Sequence, residues 1–212
     1  MPDDQLFPTP AGSPATPGEQ TDELARILAE APPADERPAS ERLTSWLCGL
    51  VLSHDYGTLA DLRRLTIAGR GRGGTPTRAR LLAAGFAPEE DQRTVYERVA
   101  FLFARYHAGA SRPHRGFGNM GDALRKVGSA AGRGPRDAGA TRLLDRLVAS
   151  RDIPWRHLQH AVERARAGDT APPSWAQLAE DLSRWKSRDR AVPYEWARSF
   201  YTPAYPKNGT TA

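Results

Sequence analysis

Val95-Tyr96-Glu97-Arg98-Val99-Ala100-Phe101-Leu102-Phe103-Ala104-Arg105-Tyr106 decides how this chain is read. Counted from Val95, the residues Val99, Leu102, Phe103 and Tyr106 follow at 4, 7, 8 and 11 positions, one helix face held over three turns. A strand would scatter the same residues over both of its faces. The spacing therefore predicts a helix here and makes it the centre of the core.

The same period runs outward in both directions. Towards the N-terminus, Leu43, Trp46, Leu47, Leu50 and Val51 form one apolar stripe. Thr58-x-x-Asp61 reads as a capping box opening a short helix that turns Leu59, Leu62 and Leu65 inward, with Arg63 and Arg64 beside them. Gly69-Arg70-Gly71-Arg72-Gly73-Gly74 breaks the pattern as a flexible loop. Towards the C-terminus, a loop from Gly109 to Gly118 precedes a short helix marked by Met120, Leu124 and Val127, and Gly128 to Gly139 is loop again. Leu143, Leu144, Leu147 and Val148 restart a helix that stops before Pro154, which can take the first position of the next one. That next helix turns Leu158, Ala161, Val162 and Ala165 inward. Ser174-x-x-Gln177 reads as a capping box, after which Trp175, Leu178, Leu182 and Trp185 share a face, and Tyr194 to Tyr201 closes the helical series. No alternating run of β-branched residues occurs, so the expected fold class is all-α, a compact bundle of about eight or nine helices.

Charge divides the chain as sharply as periodicity does. Residues 1–40 hold eight acids against Arg26 and Arg37 and carry −6, which leaves +11 of the net +5 on residues 41–212. Eight prolines also fall in residues 1–39, which read as a disordered acidic leader excluded from the fold. Residues 40–203 are then the helical domain and 204–212 a flexible tail. Of 30 basic residues only Lys126, Lys186 and Lys207 are lysines, and the guanidinium fork suits phosphate oxygens. Two readings of this bias stand: nucleic-acid binding, or a GC-rich genome that favours Arg codons whatever the function. The lone cysteine, Cys48, can close no intramolecular disulfide, and no apolar leader or long apolar run is present, so a cytoplasmic protein without membrane attachment is expected. The Asn208-Gly209-Thr210 sequon is accidental in that setting.

Residues that carry chemistry are sparse. His157, His160 and Glu163 form the one metal candidate, but on a helix they fan across the polar face and no second ligand pair completes a site. The Gly69–Gly74 loop lacks a preceding strand and a following Gly-Lys-Ser/Thr, so it is no phosphate cradle, although an Arg-Gly loop touching RNA and a plain connector both fit. No Gly-x-Ser-x-Gly elbow occurs, and His54, His107 and His114 have no partner that spacing names. Cys48 sits in an apolar stripe and reads as core. No catalytic residue and no cofactor is expected. Arg63, Arg64, Arg125, Lys126, Arg142, Arg151, Arg156 and Arg164 flank apolar helix faces, a pattern that fits a solvated surface and equally a rigid track for a phosphate backbone. Trp155 fits either a base-stacking role or a packing anchor.

Several segments follow one another in a fixed order: Leu43-Thr-Ser-Trp-Leu-Cys-Gly-Leu-Val51, Gly57-Thr-Leu-Ala-Asp-Leu-Arg-Arg-Leu65, Val99-Ala-Phe-Leu-Phe-Ala104 with Tyr106-His107, and Asn119-Met-Gly-Asp-Ala-Leu-Arg125. Arg142 to Arg151, Leu158, Trp175, Leu178, Asp181-Leu182, Trp185 and Trp196-Ala-Arg-Ser-Phe-Tyr201 complete the order. Taken together they resemble the CasB family, the small subunit of the type I-E CRISPR surveillance complex Cascade. Arg105 and Arg146 stand where the family usually has apolar residues, Thr141 replaces the first of a paired Arg, and Gly69 to Glu90 aligns poorly. The resemblance implies an all-helical, non-enzymatic subunit present in two copies. Its partners would be a guide CRISPR RNA, the displaced single-stranded DNA, other Cascade subunits and a second copy of itself, and its role would be to stabilise the R-loop. Carried over by position, the implied nucleic-acid contacts are Arg63, Arg64, Arg125, Arg142 and Arg151. Lys126 joins them as the neighbour of Arg125, His160 falls at a position often basic in the family, and Arg93 lies near another. The competing reading is a stand-alone helical DNA-binding regulatory protein.

Overall fold

A computed structural model describes residues 36–64, 77–129 and 132–202. Two units divide the chain, Met1–Arg37 and Pro38–Ala212. Only Glu36 and Arg37 of the first are described, and the architecture below belongs to the second. The leader up to residue 35, Leu65, the Gly69–Gly74 loop and the tail from residue 203 lie outside the described residues.

Nine α-helices are described: α1 Ala39–Leu52, α2 Tyr56–Arg63, α3 Arg78–Ala84, α4 Arg93–Tyr106, α5 Met120–Lys126, α6 Ala138–Ala149, α7 Trp155–Ala167, α8 Trp175–Ser183 and α9 Ala191–Tyr201. Single 3₁₀ turns precede α4 and α6, and Gly128–Ser129 pairs antiparallel with Gly132–Arg133 as the one described ladder. The fold is all-α, as periodicity predicts. Helix α4 packs against α1, α2, α3, α7 and α8. That position explains why its buried residues exceed one stripe: Ala100, Phe101 and Ala104 are as enclosed as Val99, Leu102 and Phe103.

Local chemistry sets the helix ends. Asp55, not Thr58, caps α2, because its carboxylate accepts from Thr58 N at 3.0 Å and from Thr58 Oγ1 at 2.7 Å, so the helix starts two residues earlier than the Thr58 reading. Pro154 sits at the cap of α7 rather than inside its first turn. Ser174 Oγ accepts from Gln177 N at 3.4 Å, but the Gln177 side chain donates to Asp181 at 2.8 Å, so the predicted box is only half formed. The complete capping box is at α5, where Asn119 and Asp122 bond each other's backbone N–H. Helix α3 was not expected from the sequence. Thr77 caps it, and it offers the core only Ala79 and Ala83 while Leu81 and Leu82 are exposed, so no apolar stripe announces it.

The C-terminal half is fastened by aromatic side chains. Trp175, Trp185 and Trp196 are fully buried, as is Phe200. The Trp185 and Trp196 rings lie 5.0 Å apart, and Trp196 Nε1 donates to Asp181 Oδ2 at 2.6 Å. Burial, the largest influence, pushes the Asp181 carboxyl above its usual range, against the lowering effect of bonds from Trp196 and Gln177. Trp175 stands edge-on to Phe103 at 5.4 Å and donates from Nε1 to His114 O at 2.8 Å. Helices α5 and α9 meet so closely that a Cβ at Gly121 would collide with the Trp196 carbonyl. Cys48 lies in the core as read from its stripe.

His107 finds its partners in the fold. It is buried, its ring stacks on Phe103 at 3.9 Å, and its Nδ1 is 2.9 Å from Phe103 O. The His114 amide donates to Nε2 at 2.8 Å, which requires Nε2 to be unprotonated and puts the ring proton on Nδ1. Burial drives the His107 pKa down to about 4, with the Phe103 carbonyl opposing and His114 adding to the depression.

Candidate nucleic-acid interface

Helices α6 and α7 pack together through Leu143, Leu144 and Leu147 on one and Leu158, Ala161, Val162 and Ala165 on the other, which turns their polar residues outward. Arg142 and Arg146 are four residues apart on α6, and Arg156 and His160 four apart on α7, so each pair shares a helix face. All four are exposed. Charges from both helices converge on His157: after partial burial, the largest cause, Arg146, His160 and Arg156 each lower its pKa. Arg151 lies in the connection between the two helices, also exposed. Asp145 lies between Arg142 and Arg146 in α6 and Glu163 feels the charge of His160, but among the described residues none of Arg142, Arg146, Arg151 and Arg156 has a carboxylate within ion-pair distance, so the surface can attract an anion or a polyanion.

The other expected contacts are placed differently. Arg125 and Lys126 end α5, which packs on α6, α7 and α9 and so belongs to the same half of the domain. Lys126 is exposed, while Arg125 is half-buried with Nη1 enclosed and lacking a hydrogen-bond partner. Arg63 and Arg64 end α2, whose main packing is on α1, α3 and α4, so the double Arg stands on a different group of helices from Arg142 and Arg151. Arg64 pairs with Asp61 at 3.1 Å and Arg93 with Glu90 at 3.1 Å, both surface pairs of the kind that contribute at most about 1 kcal/mol and yield readily to phosphate. Among the described residues, Arg63, Arg125, Lys126, Arg142, Arg151 and His160 have no carboxylate within ion-pair distance.

Three readings of the basic set change. Arg151 lies in a bend and Arg64 at a helix cap rather than on helix faces. Arg164 pairs with Asp137, the cap of α6, at 3.2 Å and serves the α6–α7 contact. Glu163 of the metal candidate is held by Arg105 and by Gln159 at 2.9 Å, and among the described residues no group of three or more His, Cys, Asp or Glu could hold a metal ion. Arg105, an oddity in an apolar sequence context, is thereby explained as the α4 end of an α4–α7 ion pair. Trp155 is a half-buried anchor with the Arg98 guanidinium 4.9 Å over its ring. Arg146 shares this exposed surface, and its position four after Arg142 is the signal for it in the sequence.

The fold and this surface define an all-helical protein with exposed basic side chains on two packed helices. Residues 58–201 match the family model of CRISPR-associated protein Cse2, and the chain belongs to that family. Membership makes it a CRISPR-associated protein of the Cascade small-subunit family, as the sequence resemblance implied. Its fold is similar to that of TTHB189, a CRISPR-associated protein of the Cse2 family from Thermus thermophilus, at 23% identity and a TM-score of 0.55, covering 76% of this chain and 97% of that one. It is also similar to CasB from Thermus thermophilus, with 23% identity, a TM-score of 0.54 and the same coverage. CasB from Thermobifida fusca is similar at 18% identity and a TM-score of 0.50, covering 76% of this chain and 98% of that one. No curated protein matches the chain. Among the described residues no helix is long and apolar enough to cross a membrane.

Proposed function

We propose that the chain is a non-catalytic subunit of a CRISPR Cascade complex that grips the nucleic-acid backbone, chiefly the displaced non-target DNA strand, and so stabilises the R-loop. The observation that carries this reading is that the packed helices α6 and α7 expose Arg142, Arg146, Arg156 and His160, with Arg151 exposed in the bend between them. Like charges brought together on rigid helices repel one another, and a phosphate chain relieves that repulsion without reorganising the protein. Such contacts carry no base sequence, which suits a complex whose sequence is read by guide pairing. Exchange of a DNA duplex for a guide heteroduplex is nearly balanced in free energy, so a few backbone contacts to the freed strand tip it. In this reading residues 40–203 form the binding domain, 1–39 and 204–212 are appendages, and a second copy extends the basic track along the guide-bound assembly in the cytoplasm.

The test is co-expression with a guide RNA and candidate partner subunits, followed by sizing and an R-loop assay on the recovered complex. Wild type should co-purify and raise R-loop yield, and Arg142→Glu/Arg146→Glu should co-purify with reduced yield. An unchanged yield for that variant overturns the backbone-grip reading. Tight binding of one defined duplex by the isolated chain, with no recovery of partner subunits, favours a stand-alone DNA-binding protein instead.

A further inference from the structure

Phe117 is exposed to 71% of its full surface in a chain whose other five Phe residues include two of the largest fully buried side chains. A single exposed apolar residue is ordinary. Two features set this one apart. The first is the backbone that holds it: Gly116 and Gly118 both take left-handed φ values, 79° and 64°, and a Cβ at either would collide, with the Pro173 carbonyl at one and the Asp122 carboxylate at the other. Three backbone bonds tie the loop down, from Phe117 N to Pro172 O at 3.1 Å, Ser174 N to Gly118 O at 2.9 Å and Trp175 N to Arg115 O at 3.3 Å. The chain thus holds Phe117 outward on a rigid loop rather than leaving it on a loose one. The second is charge: Lys126, reaching back along α5, sets its ammonium 5.5 Å over the ring centre and has no carboxylate partner among the described residues. Asp122, whose carboxylate borders Gly118 of this loop, is turned into the α5 capping box, where its Oδ2 accepts from Asn119 N at 2.9 Å.

We infer that Phe117 is a stacking platform for an unpaired base, with Lys126 taking the adjoining phosphate. A rigid aromatic face beside a cation is the arrangement by which single strands are held without sequence preference, since every base has a π-face and every linkage a phosphate. Because the loop is already ordered, little conformational freedom is lost on binding. A duplex, whose bases are stacked on each other, offers the ring nothing comparable. The inference rests on the proposed nucleic-acid role and adds to it a contact with bases, where the α6–α7 cations contact only backbone.

The test measures binding of the full chain to a fluorescent single-stranded oligonucleotide and to its abasic counterpart, which carries the same phosphates, over a range of salt. Phe117→Ala should bind the normal strand on the order of tenfold more weakly, bind the abasic strand as wild type does, and keep the wild-type salt slope. Phe117→Trp should restore affinity. Lys126→Gln should weaken both strands and lower the slope by about 0.7. Equal binding of the normal strand by wild type and Phe117→Ala, with Arg142→Glu still weakening both strands, overturns the stacking platform alone. No salt-dependent binding by wild type overturns both it and the nucleic-acid reading. Loss of partner-subunit association by Phe117→Ala with strand binding intact assigns the ring to a protein interface and overturns the platform.

Discussion

His107 shows how a single residue couples the fold to pH. In the folded chain its Nε2 accepts the His114 amide, and burial holds its pKa down at about 4. A histidine in the unfolded chain titrates near 6.5, so between these values the unfolded state binds the extra proton and stability falls as pH falls. The loss should reach roughly 3 kcal/mol below pH 4, since each unit of pKa difference corresponds to about 1.4 kcal/mol. Denaturant unfolding of wild type and His107→Gln at pH 7 and pH 4 checks this: any stability advantage of wild type should shrink by that amount on acidification, and a constant difference would show that the buried ring is not the source. Trp185 supplies a second prediction at this scale. It is fully buried, yet its Nε1 has no hydrogen-bond partner, so the indole N–H contributes nothing that a phenyl ring lacks. Trp185→Ala should cost about 3–5 kcal/mol through the cavity it leaves, and Trp185→Phe well under half of that, both read from denaturation midpoints. If Trp185→Ala unfolds like wild type and only strand binding drops, the ring acts on nucleic acid.

Helices in this domain are joined by contacts that no stripe of apolar residues reveals. Gly121 lies in α5 against the Trp196 carbonyl of α9, and its missing side chain is what allows the two to close. Gly121→Ala should therefore destabilise by about 1–3 kcal/mol, although alanine is the better helix former, because backbone meets the new methyl group. A neutral or stabilising result would mean that α9 shifts away at no cost. Arg190 fastens two elements in another way, with its guanidinium donating to Val148 O at 2.6 Å and Ser150 O at 2.9 Å, at the carbonyl end of α6 where a cation is favoured. Nothing in the spacing of Arg190 shows this. The Asp55 cap was hidden for a related reason: both Asp55 and Thr58 are good cap residues, and only the path of the chain shows which one is outside the helix.

Across the molecule two groups of basic residues stand on different helices, and they should respond differently to charge reversal. Arg63 and Arg64 stand at the end of α2, and Arg142, Arg146, Arg156 and His160 on the α6–α7 face. If each single-strand phosphate contact contributes about 0.7 to the salt slope, Arg142→Glu/Arg146→Glu should lower it by roughly 1.4. Arg63→Glu/Arg64→Glu should lower it equally if the strand spans both groups, and leave it unchanged if it follows α6 and α7 alone. Phosphate near His157 should also raise the pKa that partial burial, and after it Arg146, His160 and Arg156, now depress. An NMR titration of the His157 ring with and without single-stranded DNA reads that rise, and binding should strengthen as pH falls through it. A His157 titration unmoved by saturating strand would place the DNA elsewhere.

From the order of its residues alone this protein is helical, basic after residue 40 and centred on Val95 to Tyr106, because the 3.6-residue period and the charge balance are properties of the chain itself. The same order of segments pointed to the family. Tertiary structure decided the rest: that α4 is enclosed on nearly all sides, that α3 exists, that Arg105 and Arg164 are spent on Glu163 and Asp137, and that Arg146 joins the surface of Arg156 and His160. Spacing fixes which side chains share a face of one helix. Which faces meet, and which charges are then left without a partner, depends on residues far apart in the chain and is settled only when the helices pack.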